Sequence, residues 1–457
     1  MKHPSDAPTV LLPIETVNRE LDANLVIASL LAKSGIRTIV GHKELCEHIG
    51  ISSKRVLCIG KDAFTLRLPP TSNDHIADRL KANGSLVIFY QDEGGIFAKH
   101  EWARTVLEKH RVDFIRTRDI AGVSVWGKRQ QALIAEQLPH KIDQIIVTGC
   151  PRLDLCLPSY DWVQRDLPIL TRTNGDPYLL MCSRFGSIAH LKGLSKFFMS
   201  VNERQHLNIY NERLSTWQRD LHDFVEFIVL AKEIAVHFPK FKLVVRPHPS
   251  EDLGFYQTVF SPFENVLVTN ELTAMSWIRY AQAVIHCNCT TGVEAALAIK
   301  PVLNFLPFPE SRSEHDKVVA DEAGLKMTSV PEALEKLTEL LARPIVPYEW
   351  STQAKVVLNN LVEPSLPIFV SMVLETAQTQ GLTSSQVKLP SRSLFGQVGA
   401  RLRRNPVYLS KNRDPYLVAK RGALPIAYIE QLLDVAAQNN VGTGQISEHM
   451  ETYVIIE

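Results

Sequence analysis

The chain has 457 residues, and this length predicts two or three domains rather than one. Hydrophobic residues make up 45% of the sequence and charged residues 22%, which are the proportions of a folded globular protein and exclude disorder over most of the chain. Lys and Arg number 50 and Asp and Glu 49, and the resulting formal charge of +1 argues against a general nucleic-acid-coating function.

The first part of the chain alternates short apolar runs with helical patterns. A helix is predicted over residues 18–33, where apolar residues recur at helical spacing. Strands are predicted at 9–14, 36–40, 56–59, 86–90 and 145–148. Because parallel strands need helical crossovers, this alternation predicts an open α/β domain over residues 8–165.

A turn-rich stretch at 167–177 is predicted to be a linker, and a second α/β pattern follows it. Strands are predicted at 178–182, 242–246, 266–268, 283–286 and 301–305, and helices at 210–236 and 292–299. The pattern predicts a second α/β domain over residues 178–345.

The remaining sequence is divided by charge. Residues 386–421 contain nine basic residues and one acid, a net charge of +8, whereas 426–457 is acidic and partly helical in pattern. Residues 386–457 are therefore predicted to form a basic and then acidic tail. Apolar residues at helical spacing among the arginines of 386–421 are typical of a helix that lies on an anionic membrane surface, and a solvated linker is the alternative.

Motifs for several other functions are absent from the sequence. There is no signal-peptide pattern and no long apolar run, and none of the seven cysteines has C-x-x-C spacing. A cytoplasmic protein without a metal site is expected. Neither a P-loop nor a G-x-G-x-x-G motif occurs, so the usual support for an ATPase or a dinucleotide enzyme is missing.

In open α/β sheets, ligands bind at the carboxyl ends of the strands, so polar residues just past a predicted strand are site candidates. In the first domain these are Glu15, the adjacent Asp92 and Glu93, and the Arg152–Asp154 pair. A carboxylate here could act as a general base or nucleophile. The alternatives are that Glu15 caps the following helix, that Asp92 and Glu93 form a solvated turn, and that Arg152 and Asp154 form a structural pair.

In the second domain, Arg246-Pro247-His248-Pro249 follows a strand and leads to Ser250-Glu251. The two prolines stiffen the turn, and a fixed Arg and His suit phosphate recognition. A less specific candidate is the loop with Ser183 and Arg184, which follows the first strand of this domain.

Small polar residues also follow the strand at 283–286. Thr290, Thr291 and Gly292 open a helix, whose N-terminus attracts anions, and Glu294 could bind a ribose hydroxyl. The alternative is a helix cap at Thr291 without any ligand.

Together, Arg246-Pro247-His248-Pro249 and Thr290-Thr291-Gly292-Val293-Glu294-Ala295 resemble the nucleotide-binding domain of GT-B glycosyltransferases, in particular capsule Kdo transferases and CDP-glycerol glycerophosphotransferases. The motifs around Glu15, Asp92-Glu93-Gly94 and Gly149-Cys150-Pro151-Arg152 are similar to bacterial surface carbohydrate biosynthesis proteins. Cys150 departs from the more usual Asn of that turn. The resemblance covers residues 9–340.

The resemblance implies two Rossmann-like domains that face each other across a cleft, with helices at 346–385 packing back on the first domain. It implies a glycosyltransferase that moves a sugar, with a Kdo-like acidic sugar from a CMP donor as the leading expectation, onto a glycan or lipid-linked glycan acceptor. Arg246, His248, Glu251, Thr290, Thr291, Gly292, Glu294, Ser183 and Arg184 would bind the nucleotide, and Asp92, Glu93, Glu15 or Asp154 would be catalytic. No metal or other cofactor is implied.

Three other functions stay open on the sequence. They are a CDP-glycerol-type polyol phosphate transferase, a non-hydrolysing UDP-sugar 2-epimerase, which would need no acceptor, and a sugar-nucleotide-binding protein without turnover.

Overall fold

The computed structural model describes residues 7–60, 76–90, 115–116, 119–163, 166–198, 207–309, 319–389, 424–450 and 453–457. The chain divides into two compact units. Within the described ranges, unit 1 comprises residues 7–155 and 355–457, and unit 2 comprises 156–354. Each unit contains one sheet whose core is parallel, which confirms the prediction of two Rossmann-like α/β domains.

Unit 1 contains the predicted strands and three further ones. Its strands are β1 (Thr9–Ile14), β2 (Arg37–His42), β3 (Leu57–Gly60), β4 (Leu86–Tyr90), β5 (Gly122–Val125), β6 (Ile145–Val147), β13 (Ile446–Met450) and β14 (Tyr453–Ile456). Its helices are α1 (Val17–Ala32), α2 (Lys43–Ser52), α3 (Ile76–Ala82), α4 (Lys128–Gln137), α5 (Pro151–Asp154), α13 (Ser365–Thr379) and α14 (Ile426–Gln438), and α12 (Thr352–Val357) spans the boundary between the units.

The strand order in unit 1 is β13-β14-β2-β1-β3-β4-β5-β6. Strand β1 pairs in parallel with β2 on one side and with β3 on the other, so Leu11 lies opposite both Ile39 and Cys58. The chain therefore reverses its direction across the sheet at β1, and the carboxyl ends of β1 and β3 form a topological switch point, the usual ligand position in such sheets.

The C-terminal residues that the sequence places in a tail contain two strands and a helix of unit 1. Strand β14 pairs antiparallel with β2, and α14 packs on α1. The Tyr428 hydroxyl donates to Asp22 Oδ1 at 2.7 Å, and the Thr443 N–H donates to the Ser29 carbonyl at 3.1 Å. The physical reason is the apolar run at 453–456, which is fully buried and extends the sheet beyond β2.

Unit 2 is continuous in sequence. Its strands are β7 (Tyr178–Cys182), β8 (Lys242–Arg246), β9 (Val266–Val268), β10 (Ala283–His286), β11 (Val302–Phe305) and β12 (Leu325–Met327). Its helices are α6 (Asp166–Thr173), α7 (Leu207–His237), α8 (Leu253–Phe260), α9 (Ala274–Tyr280), α10 (Thr290–Leu297) and α11 (Val330–Ala342). The strand order is β12-β11-β10-β7-β8-β9, all parallel, with the switch point between β7 and β10.

The prediction of a linker at 167–177 is wrong for most of its length, because α6 occupies Asp166–Thr173. Ile169 and Thr173 lie one helical turn apart and are both buried, and the Thr173 hydroxyl donates to the Ile169 carbonyl at 3.0 Å. Pro168 is tolerated because it falls in the first turn, where a backbone N–H has no intrahelical partner. The turn-forming residues of this stretch therefore led to a linker prediction where the chain forms a short helix with one buried face.

Candidate functional site

The carboxyl ends of three neighbouring strands meet in unit 2 and form what we call the unit 2 crevice, bounded by residues 183–187, 246–251 and 287–292. The Ser183 N–H donates to the Arg246 carbonyl at 3.2 Å, and the His248 N–H donates to Ser183 Oγ at 3.2 Å. Arg184 Nε donates to the Cys287 carbonyl at 2.6 Å. The structure thus brings together three of the polar clusters that the sequence indicates.

Glu251 is buried at the base of this crevice and joins two of its loops. Its Oε2 atom accepts from the Ser183 hydroxyl at 2.6 Å and from the Tyr256 hydroxyl at 2.5 Å. Burial raises the pKa of the Glu251 carboxyl to about 7, although these hydroxyl donors oppose the shift. With 2% of its surface exposed, Glu251 positions the loops that carry Ser183 and His248 rather than presenting a charge to solvent.

Arg184 is held by two carboxylates of α7. Its Nη1 atom lies 3.2 Å from Asp220 Oδ1, and its Nη2 atom lies 3.2 Å from Asp223 Oδ2. Because Nε binds the Cys287 carbonyl at the same time, the guanidinium connects α7 to the loop after β10. Arg184 therefore fixes the position of that loop.

Arg246 is anchored by the backbone that follows β9. Its two terminal nitrogens donate to the Glu271 and Leu272 carbonyls at 2.6 and 2.5 Å. Burial lowers the pKa of Arg246 to about 10, while Cys182 and Glu294 oppose this shift. Arg246 stays positively charged at neutral pH, and its charge lies close enough to Glu294 of α10 for the two to interact.

The N-terminus of α10 is supported from below by His286. Its Nδ1 atom accepts from the Cys289 N–H at 3.2 Å, and Nε2 lies 3.0 Å from the Ala323 carbonyl, to which it donates as the neutral tautomer. Burial lowers the pKa of His286 to about 4, so the ring is neutral at pH 7. A Cβ atom on Gly292 would lie 2.3 Å from this ring, so only glycine lets α10 start directly over His286.

Thr290 and Thr291 form the first turn of α10. The Thr291 hydroxyl oxygen is shielded from solvent and lies next to the buried thiol of Cys182. The N-cap residue of α10 is Cys289, and its side chain makes no capping hydrogen bond. The alternative prediction of a helix cap at Thr291 is therefore wrong. The first turn of α10 begins without a side-chain cap from its N-cap residue.

His248 lies at the open side of the crevice. Its Nδ1 atom accepts from the Ser250 N–H at 3.2 Å and lies 2.7 Å from Ser250 Oγ. This turn directs an exposed imidazole toward the solvent side of the loop after β8.

Unit 1 has its own cavity at the switch point, which we call the unit 1 crevice. Its walls come from the ends of β1, β3 and β4 and from α1, α2, α5 and α13, and include Pro13, Glu15, Glu20, Asn24, Lys43, Gly60, Tyr90, Arg152 and Phe369. Tyr90 and Phe369 stack edge to face at 5.0 Å and form an apolar wall. The crevice thus combines two carboxylates, two cations and an aromatic pair, a combination suited to a polar ring-shaped ligand.

Glu15 lines this crevice, as predicted, and does not cap α1 with its side chain. The capping contact comes from Glu20, whose Oε2 atom accepts from the Glu15 N–H at 2.7 Å. Glu20 Oε1 also accepts from Arg19 Nη2 at 2.7 Å. Glu20 therefore fixes the turn after β1, which presents Glu15 to the cavity.

Asp154 does not line the crevice. It is fully buried, and its two oxygens accept from Asn360 Nδ2 and from the Leu366 N–H, both at 2.7 Å. Burial raises the pKa of the Asp154 carboxyl to about 6, opposed by these hydrogen bonds. The residue holds the start of α13, which carries Phe369 into the crevice wall.

Cys150, the departure from the usual turn, is also buried in this region. Its N–H donates to Asn360 Oδ1 at 2.7 Å, its carbonyl accepts from Asn360 Nδ2 at 2.9 Å, and its sulfur lies 3.7 Å from the Tyr90 hydroxyl. Asn360 therefore completes the turn from a position about 210 residues away in the chain.

Two sets of sequence predictions lie outside the described residues. These are Asp92 and Glu93, which follow β4, and the basic segment beyond residue 389. No group of three or more His, Cys, Asp or Glu side chains in the described ranges could hold a metal ion. None of the helices in these ranges combines the length and the hydropathy that a membrane span needs.

Sequence reasoning missed Lys43, Tyr90 and Phe369 in unit 1, and His286, Asp220 and Asp223 in unit 2. Lys43 directly follows β2 and could have been found by the strand-end rule. Asp220 and Asp223 lie within a long helix, where charged residues usually face solvent, so no sequence signal marked them.

Comparisons with known proteins give similarities among solved structures only. No family model matches the chain, and no curated protein matches its sequence. Among solved structures, the UDP-GlcNAc 2-epimerase from Neisseria meningitidis bound to UDP-GlcNAc has 13% sequence identity, covers 81% of this chain and 100% of its own, and has a TM-score of 0.45.

Two further solved structures are similar over the same extent. The UDP-GlcNAc 2-epimerase from Methanocaldococcus jannaschii has 11% identity, covers 80% of this chain and 99% of its own, and has a TM-score of 0.47. An Anabaena protein in complex with UDP and glucose has 10% identity, covers 82% of this chain and 100% of its own, and has a TM-score of 0.41. Such low identities leave the function to be argued from the residues of the two crevices.

Proposed function

We propose that this chain is an enzyme of nucleotide sugars and that its reaction is glycosyl transfer to a surface-polysaccharide acceptor. The observation that supports it best is the unit 2 crevice, where α10 begins at the switch point with Thr290 and Thr291 in its first turn and with Arg246 close enough to Glu294 of the same helix to interact with it. Backbone N–H groups of a helix start, hydroxyls and a fixed cation are the donors that a phosphate group requires.

In this proposal the donor phosphate binds at Thr290, Thr291 and Gly292, with His248 at the open side. Two carbonyls hold the Arg246 guanidinium in place, and its positive charge would favour the bound phosphate. Glu294 would bind the ribose. Ser183, Arg184 and Glu251 hold these groups in place, and such preorganised donors stabilise the negative charge that develops on a leaving phosphate.

The acceptor side of the proposal is the unit 1 crevice. Glu15 is one of the two carboxylates that line it and is the candidate general base, and Asp92 and Glu93, just past β4, remain further candidates. Asp154 would position the start of α13 and not act as a base, since both of its oxygens accept hydrogen bonds from Asn360 and Leu366. The basic segment 386–421 is proposed to contact anionic lipid, which sedimentation with anionic and neutral vesicles would test.

A non-hydrolysing 2-epimerisation is the second candidate. It is favoured by the unit 1 crevice, where carboxylates (Glu15, Glu20) and cations (Lys43, Arg152) line one cavity. Groups of this kind can remove and return protons on one sugar without a second substrate. The donor would be a UDP-sugar, and UDP-GlcNAc is the ligand to test.

Thermal unfolding with CMP, CDP, UDP and GDP tests nucleotide binding. One nucleotide should raise the melting temperature by mass action, and His248→Ala should weaken that shift and lower turnover by ~10²-fold. His237→Ala, a change at an exposed histidine at the end of α7, is the matched control. A shift with none of the four, or an undiminished shift in His248→Ala, would contradict the proposal.

The reaction class is separated by following CMP-Kdo and UDP-GlcNAc by NMR. Conversion of UDP-GlcNAc to its 2-epimer without acceptor identifies an epimerase. Release of nucleotide that depends on added polysaccharide identifies a transferase, and binding without turnover identifies a sensor.

A further inference from the structure

A second cavity in unit 2 lies away from its crevice. It has a volume of about 140 Å³ and is lined by Pro158, Asp161, Arg279, Tyr280, Ala298 and Lys300. We call it the basic cavity. Tyr280 ends the helix before β10, and Lys300 lies two residues before β11, so the cavity is at the amino ends of these strands. The unit 2 crevice is at their carboxyl ends, one length of α10 away, which is about 12 Å for eight residues.

The end of α10 fixes where Lys300 leaves the helix. The Ile299 N–H donates to the Ala296 carbonyl, and the Lys300 N–H donates to the Ala295 carbonyl, both at 3.0 Å, which is the Schellman pattern. Ile299 takes the left-handed position at φ 54°, where glycine is usual. This backbone turns Lys300 toward Arg279 of α9.

Two cations face each other across the basic cavity with one carboxylate. The Arg279 side chain is 8% exposed; it pairs with Asp161, which is 65% exposed, and donates to the Leu157 carbonyl at 3.2 Å. The Lys300 ammonium makes no hydrogen bond or ion pair with any residue that the structure describes. Burial and the charge of Arg279 both lower the pKa of Lys300.

A half-buried ammonium that faces a second cation is unfavourable unless an anion compensates it. A cavity of about 140 Å³ is smaller than the ~300–1,000 Å³ that binding sites for drug-sized ligands occupy. We infer that the basic cavity binds a small oxyanion of the phosphate class, held between Lys300 and Arg279. The site is separate from the proposed nucleotide site, so it does not depend on the proposed function.

The test is thermal unfolding in increasing inorganic phosphate against chloride at matched ionic strength, with sulfate and acetate arms to separate a tetrahedral dianion from a carboxylate. The full-length protein should show a saturable rise in melting temperature. Lys300→Met should lose the saturable part, whereas Lys240→Met, a change at an exposed lysine of the same unit, should retain it. Phosphate also stabilises folded proteins without binding, because it is excluded from their surface. This non-specific effect should be the same in all variants, so the difference between variants reports binding.

His248→Ala distinguishes this site from the unit 2 crevice. If it retains the shift and Lys300→Met loses it, the inference is supported. If His248→Ala loses the shift and Lys300→Met retains it, phosphate binds in the crevice, and the inference is wrong while the proposed function gains support. A wild-type protein without any saturable shift also overturns the inference.

Asp161→Asn keeps the test decisive if Lys300→Met fails to fold. Removing the exposed carboxylate that competes for Arg279 should lower the phosphate concentration for half-maximal shift by a factor of about five, as expected for removal of one repulsive charge at ~4 Å in water. An unchanged or higher concentration would contradict phosphate binding between these cations.

Discussion

The two crevices lie at equivalent switch points but are built differently. In unit 2, the charged groups around the crevice are anchored by nearby partners: Arg184 by Asp220 and Asp223, and Arg246 by two carbonyls. In unit 1, Glu15 and Lys43 line an open cavity, and the buried carboxylate Asp154 instead holds a segment that returns from residues 359–366. The charged groups around the unit 2 crevice are therefore fixed by the protein itself, whereas the unit 1 crevice has charged side chains in its lining and a wall completed by residues from far along the chain.

This difference explains why buried charge in unit 2 does not identify catalytic groups. Arg184 and Glu251 are candidates by sequence, yet the Arg184 guanidinium and Glu251 Oε2 bind the protein itself. A charge fixed inside the protein can orient a neighbouring loop without touching a ligand. Substitutions at anchoring residues should therefore change stability more than substitutions at residues that line an open cavity.

The largest effect is expected from Arg184→Met. It removes the guanidinium that pairs with the fully buried Asp223, while Asp220 keeps Arg219 at 3.8 Å, and breaking such a buried pair costs about 3–5 kcal/mol of unfolding free energy. Lys43→Met, the same type of change on the open wall of the unit 1 crevice, should alter stability by no more than about 0.5 kcal/mol. Urea unfolding of both variants measures the difference, and equal losses would show that the two crevices are built alike.

A smaller effect follows from the two buried carboxylates, Glu251 and Asp154, whose pKa values are raised by burial to about 7 and about 6. A folded state that holds its proton more tightly than the unfolded chain is most stable below the unfolded pKa and loses that stability as the pH rises through the folded pKa. For each group the loss is up to about 3 kcal/mol, between pH ~4.5 and 7 for Glu251 and between pH ~4 and 6 for Asp154.

Unfolding free energies measured from pH 4 to pH 7.5 test this prediction. Glu251→Gln should flatten the profile up to pH 7, whereas Asp154→Asn should flatten it only below pH 6. In the interval from pH 6 to 7, Glu251 is the group of this pair that still titrates. Profiles of both variants that run parallel to wild type would contradict the assigned shifts.

The smallest effect is expected from Gly292→Ala, at about 1–3 kcal/mol, because the new Cβ atom would overlap the His286 ring at 2.3 Å. The matched control is Gly254→Ala in the first turn of α8, where the nearest atom is an Asp252 carboxylate oxygen at 3.3 Å and a near-neutral change is expected. If His286 supports the first turn of α10, where the phosphate is proposed to bind, Gly292→Ala should also weaken nucleotide binding. The loss should be larger the further the new Cβ atom displaces the His286 ring. If the Gly292→Ala protein is destabilised but binds the nucleotide as tightly as wild type, then His286 does not contribute to nucleotide binding.

The strand ends of both units could be predicted because they are local. Apolar runs ending at Ile14, Cys182, Arg246 and His286 mark the carboxyl edges, and the strand-end rule then selects the residues that bound the crevices. Phe369 and Asn360 could not be found this way, since the contact of Asn360 with Cys150 spans 210 residues and no periodicity encodes it. For the same reason the sequence predicts a tail over 386–457, whereas β14 pairs with β2, a strand about 400 residues earlier in the chain.

The pairing of β14 with β2 has a consequence for how the protein is made. The described residues of unit 2 all lie between 156 and 354, whereas the sheet of unit 1 needs a strand synthesised about 400 residues after β2, a delay of roughly 20–80 s at usual translation rates. During that time the β2 edge has an unsatisfied row of backbone donors and acceptors, which is a template for pairing with other chains. Nascent unit 1 is thus the part of the molecule that most needs chaperone protection, and shortening the chain before residue 453 would make that exposure permanent.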